Sequence, residues 1–74
     1  MELLDIGYGN LVSRERIVAI THPNSAPAKR FIKAAAAIGK LIDASSGRKT
    51  ESVIVTDSDH VILSPLSVEI LSKG

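Results

Sequence analysis

Ser25-Ala26-Pro27-Ala28-Lys29-Arg30-Phe31-Ile32-Lys33-Ala34-Ala35-Ala36-Ala37-Ile38-Gly39 is the stretch whose reading decides the fold. Ala28, Phe31, Ile32, Ala35 and Ile38 follow the i, i+3, i+4, i+7, i+10 spacing of a buried helical stripe, and Gly39 provides the stop. The loop from His22 to Pro27 holds two prolines and offers Asn24 or Ser25 as N-cap. Everything around this helix reads as short strands, with one more helix at the end.

On the N-terminal side, Arg16 to Thr21 is a β-branched run with apolar residues on both faces. Such a run suits a strand covered by a helix on one side and by something else, such as a neighbouring subunit, on the other. Leu3 to Gly7 reads as a first strand, ended by the turn residues Gly7, Gly9 and Asn10, with Leu11 to Ser13 continuing it. On the C-terminal side, Leu41 to Ser45, Ser52 to Thr56 and His60 to Ser64 read as strands. Ser46-Gly47-Arg48-Lys49 fits a hairpin tip and Asp57-Ser58-Asp59 a second tight turn. Pro65 starts a short helix from Leu66 to Leu71, with Leu66, Ile70 and Leu71 turned inward. The expected order is ββαβββα: an α+β fold with a small, mainly antiparallel sheet, one central helix and a short C-terminal helix. No linker, repeat or low-complexity tract interrupts it, so residues 1–74 read as one domain.

A chain of 74 residues rules out a two-domain enzyme. At this size only roughly 60% of the extended surface is buried on folding, and there is no cysteine to staple it or to ligate a metal. Oligomerisation is the expected remaining source of stability. The first twenty residues carry Glu2, Asp5, Arg14, Glu15 and Arg16, unlike a signal peptide, and no stretch is long enough to span a membrane. A cytoplasmic protein without a membrane partner is expected. Aromatic content of 3%, Tyr8 and Phe31 alone, argues against base stacking as the main activity.

Net charge is only +1, yet the charges are segregated. Between residues 14 and 49 lie Arg14, Arg16, Lys29, Arg30, Lys33, Lys40, Arg48 and Lys49 against Glu15 and Asp43, a local excess of six positive charges. The flanks carry the balance in Glu2, Asp5, Glu51, Asp57, Asp59 and Glu69. Arg14 and Arg16, two apart on an expected strand, point the same way. Lys29 and Arg30 add side-chain charge to the unpaired N–H groups of a helix start, where an acidic residue is the usual choice. Arg48 and Lys49 sit on the expected hairpin tip. Convergence of these groups would make a phosphate-binding surface; pairing with Asp43 and Glu51 would make an ordinary solvated one.

Other candidate motifs fall short of a site. Asp57-Ser58-Asp59-His60 brings two carboxylates and an imidazole together, but without the further ligands that calcium or zinc needs; Asp and Ser bonding their own backbone in a turn explain it. Gly7-Tyr8-Gly9-Asn10 starts like a dinucleotide loop, but Val12 stands where a glycine is required. No serine has a base placed beside it. No catalytic residue, metal ligand or cofactor site is therefore expected.

Five segments taken together resemble a known family. They are Ile6-Gly7-Tyr8-Gly9-Asn10-Leu11-Val12-Ser13, Ser25-Ala26-Pro27-Ala28-Lys29-Arg30, Leu41-Ile42-Asp43-Ala44, Gly47-Arg48-Lys49-Thr50 and Asp57-Ser58-Asp59-His60-Val61-Ile62-Leu63-Ser64. In this order and register they resemble the RemA family, the extracellular matrix regulatory protein A type of bacterial regulators. The resemblance implies a transcriptional regulator of biofilm-matrix genes that binds double-stranded DNA. It also implies ring-shaped homo-oligomers of about seven or eight subunits. Carried over, the DNA contacts fall on Arg16, Arg48 and Lys49, and a loop proline on Pro27; Arg14, Lys29, Arg30 and Lys33 are expected in support. The chain departs from the family pattern at Lys49, where a second arginine is usual, and at Ser46, where an aromatic is common. It departs also at Glu51, where a basic residue often stands, and in the alanine run 34–37. With no recognition helix in evidence, bent or A/T-rich DNA is the expected target. The competing expectation is an assembly module whose basic strip serves subunit or acidic-partner contacts.

Overall fold

A computed structural model describes residues 2–73. The elements are β1 (Leu3–Gly7), β2 (Asn10–Ser13), a 3₁₀ turn (Arg14–Arg16), β3 (Ile17–Thr21), α1 (Ala26–Ala37), β4 (Leu41–Asp43), β5 (Ser52–Thr56), β6 (Val61–Ser64) and α2 (Val68–Lys73). The fold is α+β, as the element pattern requires. β1 and β2 form an antiparallel two-stranded sheet, and the other strands form a four-stranded sheet in the order β3-β5-β6-β4.

Alternation along β5 and β6 explains the layering. Val53 and Val61 pack with Ala28 and Ala35 of α1 on one face. Ile54 and Ile62 pack with Leu4 and Ile6 of β1 and Leu71 of α2 on the other. The layer over β5 and β6 opposite α1 is therefore the chain's own β1–β2 hairpin together with α2; β3, the run expected to be covered on both sides, is instead an edge strand with Ile17 and Ile20 only partly buried and Val18 67% exposed. Burying a side chain such as Ile54 completely contributes about 1.5–3 kcal/mol, and each face supplies several.

α1 starts where its cap signals indicate. Ser25 is the N-cap; its Oγ accepts from Ala28 N–H at 3.2 Å and donates to the His22 carbonyl at 2.9 Å. The buried stripe is narrower than its spacing implies, since Ala28 and Ala35 are buried while Phe31 and Ile38 are exposed. At 100° per residue, Phe31 and Ile38 lie about 60° and 80° round the helix from Ala28, on its flank. The small alanines seat the helix directly on the valines.

Four further expectations are corrected. Leu11–Ser13 does not prolong the first strand but folds back as β2, because the turn at Gly7–Asn10 reverses the chain. Arg14–Arg16 is a 3₁₀ turn, not the start of a strand, because it links β2 in one sheet to β3 in the other. Residues 44–51 are no hairpin tip: β6 lies between β4 and β5, and β4 pairs with β6 in parallel. This loop straddles the end of β6, with Ala44 N–H donating to Leu63 and Glu51 N–H to Ser64. The last helix begins after Ser67, whose Oγ accepts from Ile70 N–H at 3.1 Å, and Ile70 is exposed while Leu71 is buried.

The turn at residues 57–60 forms as expected, joining β5 to β6 with Thr56 N–H donating to the His60 carbonyl at 3.0 Å. The hairpin sheet is fastened to β6 by Ser64, whose Oγ donates to the Ile6 carbonyl at 2.8 Å and accepts from Leu66 N–H at 3.1 Å. No helix among the described residues is long and apolar enough to cross a membrane.

Candidate functional site

The strand register sorts the basic residues between two ends of the four-stranded sheet. At the Ser52–Ser64 end lie the 44–51 loop with Arg48 and Lys49, and also the start of α1, since Thr21 pairs with Val53 and the helix follows β3. At the Thr56–Val61 end lie the 3₁₀ turn with Arg14 and Arg16 and the Asp57–His60 turn. The three basic groups thus do not converge on a point. Arg48, Lys49, Lys29, Arg30 and, one turn further on, Lys33 share one half of the fold; Arg14 and Arg16 hold the other end. Pro27 lies in the first turn of α1 and not in the loop before it, where its fixed φ suits a helix start.

The loop carrying Arg48 is locally determined. Asp43 Oδ1 accepts from Ser45 N–H at 3.0 Å and from Ser45 Oγ at 2.6 Å. Those bonds, the hydroxyl's first, hold the Asp43 carboxyl below the usual range. The carbonyl of Ser45 in turn accepts from Arg48 N–H at 3.0 Å. Ser45 is buried, whereas Ser46, Gly47, Arg48 and Lys49 are exposed. The Arg48 guanidinium lies over the ring of Tyr8, with Cζ 4.1 Å from the centroid.

At the other end, Arg16 Nε donates to Asp57 Oδ1 at 2.8 Å, and Asp57 N–H donates to the Arg16 carbonyl at 2.9 Å. The side-chain bond first, then the attraction of the carboxylate, raises the Arg16 pKa above its already high value, so its charge is permanent. Arg14 Nε lies 3.2 Å from Glu2 Oε1. Nearby, Thr56 Oγ1, Ser58 Oγ and His60 Nδ1 form a chain at 3.0 and 2.7 Å, and Lys40 Nζ donates to the Ser58 carbonyl at 3.1 Å.

The acidic partners are not the ones expected for an ordinary solvated surface. Asp43 is engaged by Ser45, and Arg48, Lys49, Lys29, Arg30 and Lys33 make no ion pair with a described residue. Sequence reasoning missed Tyr8 beside Arg48 and Asp57 beside Arg16, partners 40 and 41 positions away in the chain. It also missed Asp43 as the organiser of the loop. The one local clue was an aromatic set between glycines in a tight turn.

Two grooves flank these groups on opposite faces of the sheet. One, of about 290 Å³, lies between β2 and the sheet and includes Leu11, Ile42, Ile62, Arg16 and His60. The other, of about 180 Å³, lies along α1 and includes Phe31, Ile38, Val55 and Asp59.

Comparison with known proteins places this chain in a family. Residues 3–73 match the family model described as RemA-like, extracellular matrix regulatory protein A-like. A protein of Thermodesulfovibrio yellowstonii is 58% identical over 67 residues, covering 90% of this chain and 79% of the relative. One of Geobacillus thermodenitrificans is 54% identical over 73 residues, covering 99% and 84%. One of Alkaliphilus metalliredigens is 58% identical over 69 residues, covering 93% and 74%. All three bear the name of a regulatory protein and none that of an enzyme. The match takes in both sheets, both helices and the two basic ends, and the chain belongs to the RemA-like family of regulatory proteins.

Proposed function

We propose that this protein is a DNA-binding transcriptional regulator that acts as a ring-shaped homo-oligomer and grips the phosphate backbone of duplex DNA. Arg16, Arg48 and Lys49 are the principal contacts, with Arg14, Lys29, Arg30 and Lys33 in support. The observation that carries this reading is the set of exposed cations at the Ser52–Ser64 end, headed by Arg48 and Lys49, without ion pairs to described residues. A run of unneutralised charge favours a polyanion, and released counterions supply the free energy.

The spacing is compatible with a duplex. β5 separates the Arg48–Lys49 loop from Arg16 and is about 17 Å long at 3.4 Å per residue, comparable to five base-pair rises. α1 starts at the Ser52–Ser64 end but carries lysine and arginine there rather than a set of base-reading side chains, so the reading assigns specificity to DNA shape, with bent or A/T-rich sites preferred. Ring assembly draws support from the two grooves, which expose unlike apolar surfaces, Leu11 and Ile42 against Phe31 and Ile38, as head-to-tail contacts need. The family's name points to genes of the extracellular matrix as targets, and action on them is cytoplasmic.

Fluorescence anisotropy with mixed duplex fragments at about 50 and about 200 mM salt tests the reading, alongside light scattering for oligomer mass. Affinity should fall by orders of magnitude across that range, and Arg48→Ala with Lys49→Ala should abolish most of it while the oligomer persists. Unchanged DNA affinity in that double variant would overturn the reading. An oligomer that dissolves as salt rises would instead assign the charges to assembly.

A further inference from the structure

Tyr8 occupies the tip of the β1–β2 hairpin in a left-handed conformation, φ 55°, between Gly7 at 106° and Gly9 at 84°. A tyrosine there carries strain that glycine would avoid, and strain of this kind persists where the surroundings over-determine it. The turn is tied down on both sides: Gly7 N–H donates to Asp5 Oδ1 at 2.8 Å and Asn10 Nδ2 donates to the Gly7 carbonyl at 3.0 Å. The ring gains little burial in return, since Tyr8 is 55% exposed and belongs to neither core cluster. Its contact is the Arg48 guanidinium, 4.1 Å from the centroid.

Arg48 is therefore restrained twice on an exposed loop. Its backbone is held through Ser45 by Asp43, and its guanidinium is held by the Tyr8 ring. The negative face of an aromatic ring attracts the cation without occupying its N–H groups as a carboxylate would, so they stay available to an anion. Restraint before binding removes part of the ordering entropy that a long side chain loses on binding.

We infer that Tyr8 is a positioning residue that presents the Arg48 guanidinium to a phosphate group. The inference rests on the reading of Arg48 as a phosphate contact. Tyr8 itself touches no nucleic acid in this role; it acts through Arg48.

The test combines duplex binding at about 50 mM salt with NMR of the Arg48 Nε–H resonance in the free protein, which reports ring contact without DNA. Tyr8→Leu should weaken binding about two- to fivefold, while Tyr8→Phe, which keeps the ring, stays near the parent. The Arg48 resonance should lose its ring-current shift in Tyr8→Leu and keep it in Tyr8→Phe. On an Arg48→Ala background, Tyr8→Leu should add nothing. If Arg48→Ala weakens binding and Tyr8→Leu does not, the inference falls and the DNA reading stands. If Arg48→Ala has no effect, the inference falls, and the variant combining Arg48→Ala with Lys49→Ala decides the DNA reading. Equal losses in Tyr8→Leu and Tyr8→Phe, or a Tyr8→Leu loss that survives on the Arg48→Ala background, would also overturn the positioning role. Circular dichroism on each variant verifies folding, and the Tyr8→Phe comparison keeps the test valid if Tyr8→Leu is unstable.

Discussion

Arg16 Nε donates to Asp57 Oδ1 at 2.8 Å, so the arginine at one end of the sheet is oriented by a carboxylate that also competes with any anion it would bind. The pair is exposed, which makes its effect on stability small and its effect on the local field larger. Asp57→Asn keeps an acceptor for Nε and removes the negative charge. The expected outcome is tighter duplex binding at about 50 mM salt, converging on the parent as salt rises. Arg16→Ala should weaken binding and flatten the salt dependence, by up to about one unit of log–log slope for each contacting subunit. Anisotropy titrations at several salt concentrations measure both.

The Asp43 carboxylate organises the 44–51 loop most strongly while ionised. Its pKa is lowered in the folded protein, so its contribution is complete above the unfolded aspartate value of about 3.9 and is lost as pH falls through the lower folded value. Hydrogen exchange at the Ser45 and Arg48 amides should therefore stay unchanged in protection from neutral pH to about 4 and lose protection below it, once intrinsic rates are corrected. Asp43→Ala should show the unprotected behaviour at neutral pH. Protection unaffected by that substitution would mean the loop is held by other contacts.

Gly7 and Gly9 flank the same tyrosine but differ in surroundings. A Cβ at Gly7 would lie 3.2 Å from Leu66 Cγ and 3.3 Å from Pro65 Cγ, on a backbone at φ 106°. A Cβ at Gly9 would meet nothing within 4 Å, at φ 84°. Gly7→Ala should cost about 2–3 kcal/mol and Gly9→Ala about 1 kcal/mol, with melting temperatures lowered about 4–8 °C per kcal/mol. Thermal denaturation followed by circular dichroism ranks them, and equal losses would contradict the contact with α2's approach.

Ser52 and Ser64 are register partners on β5 and β6, both completely buried, with opposite predicted effects. Ser64 Oγ bonds Ile6 and Leu66, joining the hairpin sheet to β6. Ser52 Oγ has no hydrogen-bond partner among the described residues. Ser64→Ala should destabilise by about 1–3 kcal/mol, whereas Ser52→Ala, which removes an unsatisfied hydroxyl, should be neutral or stabilising by about 1 kcal/mol. Urea denaturation reads both, and a costly Ser52→Ala would imply a partner for that hydroxyl.

The residues themselves determined every feature that depends on near neighbours in the chain. Ser25, Pro27 and the alanine-rich run set α1; short apolar runs bounded by turn residues set β5 and β6; Asp57-Ser58-Asp59 set the turn between them. Charge segregation and the five family segments were equally legible, because composition and motif order need no coordinates. Only the tertiary structure decided where β4 goes. A three-residue strand carries too little pattern to choose between an antiparallel place beside β5 and a parallel one beside β6, and burial summed over the whole sheet makes that choice. With it came the straddling 44–51 loop, and with the hairpin's docking came Tyr8 over Arg48. The narrower stripe on α1, the meeting of Arg16 with Asp57 and the separation of the two basic ends have the same physical cause. Each depends on contacts between residues far apart in the chain, which no local period encodes.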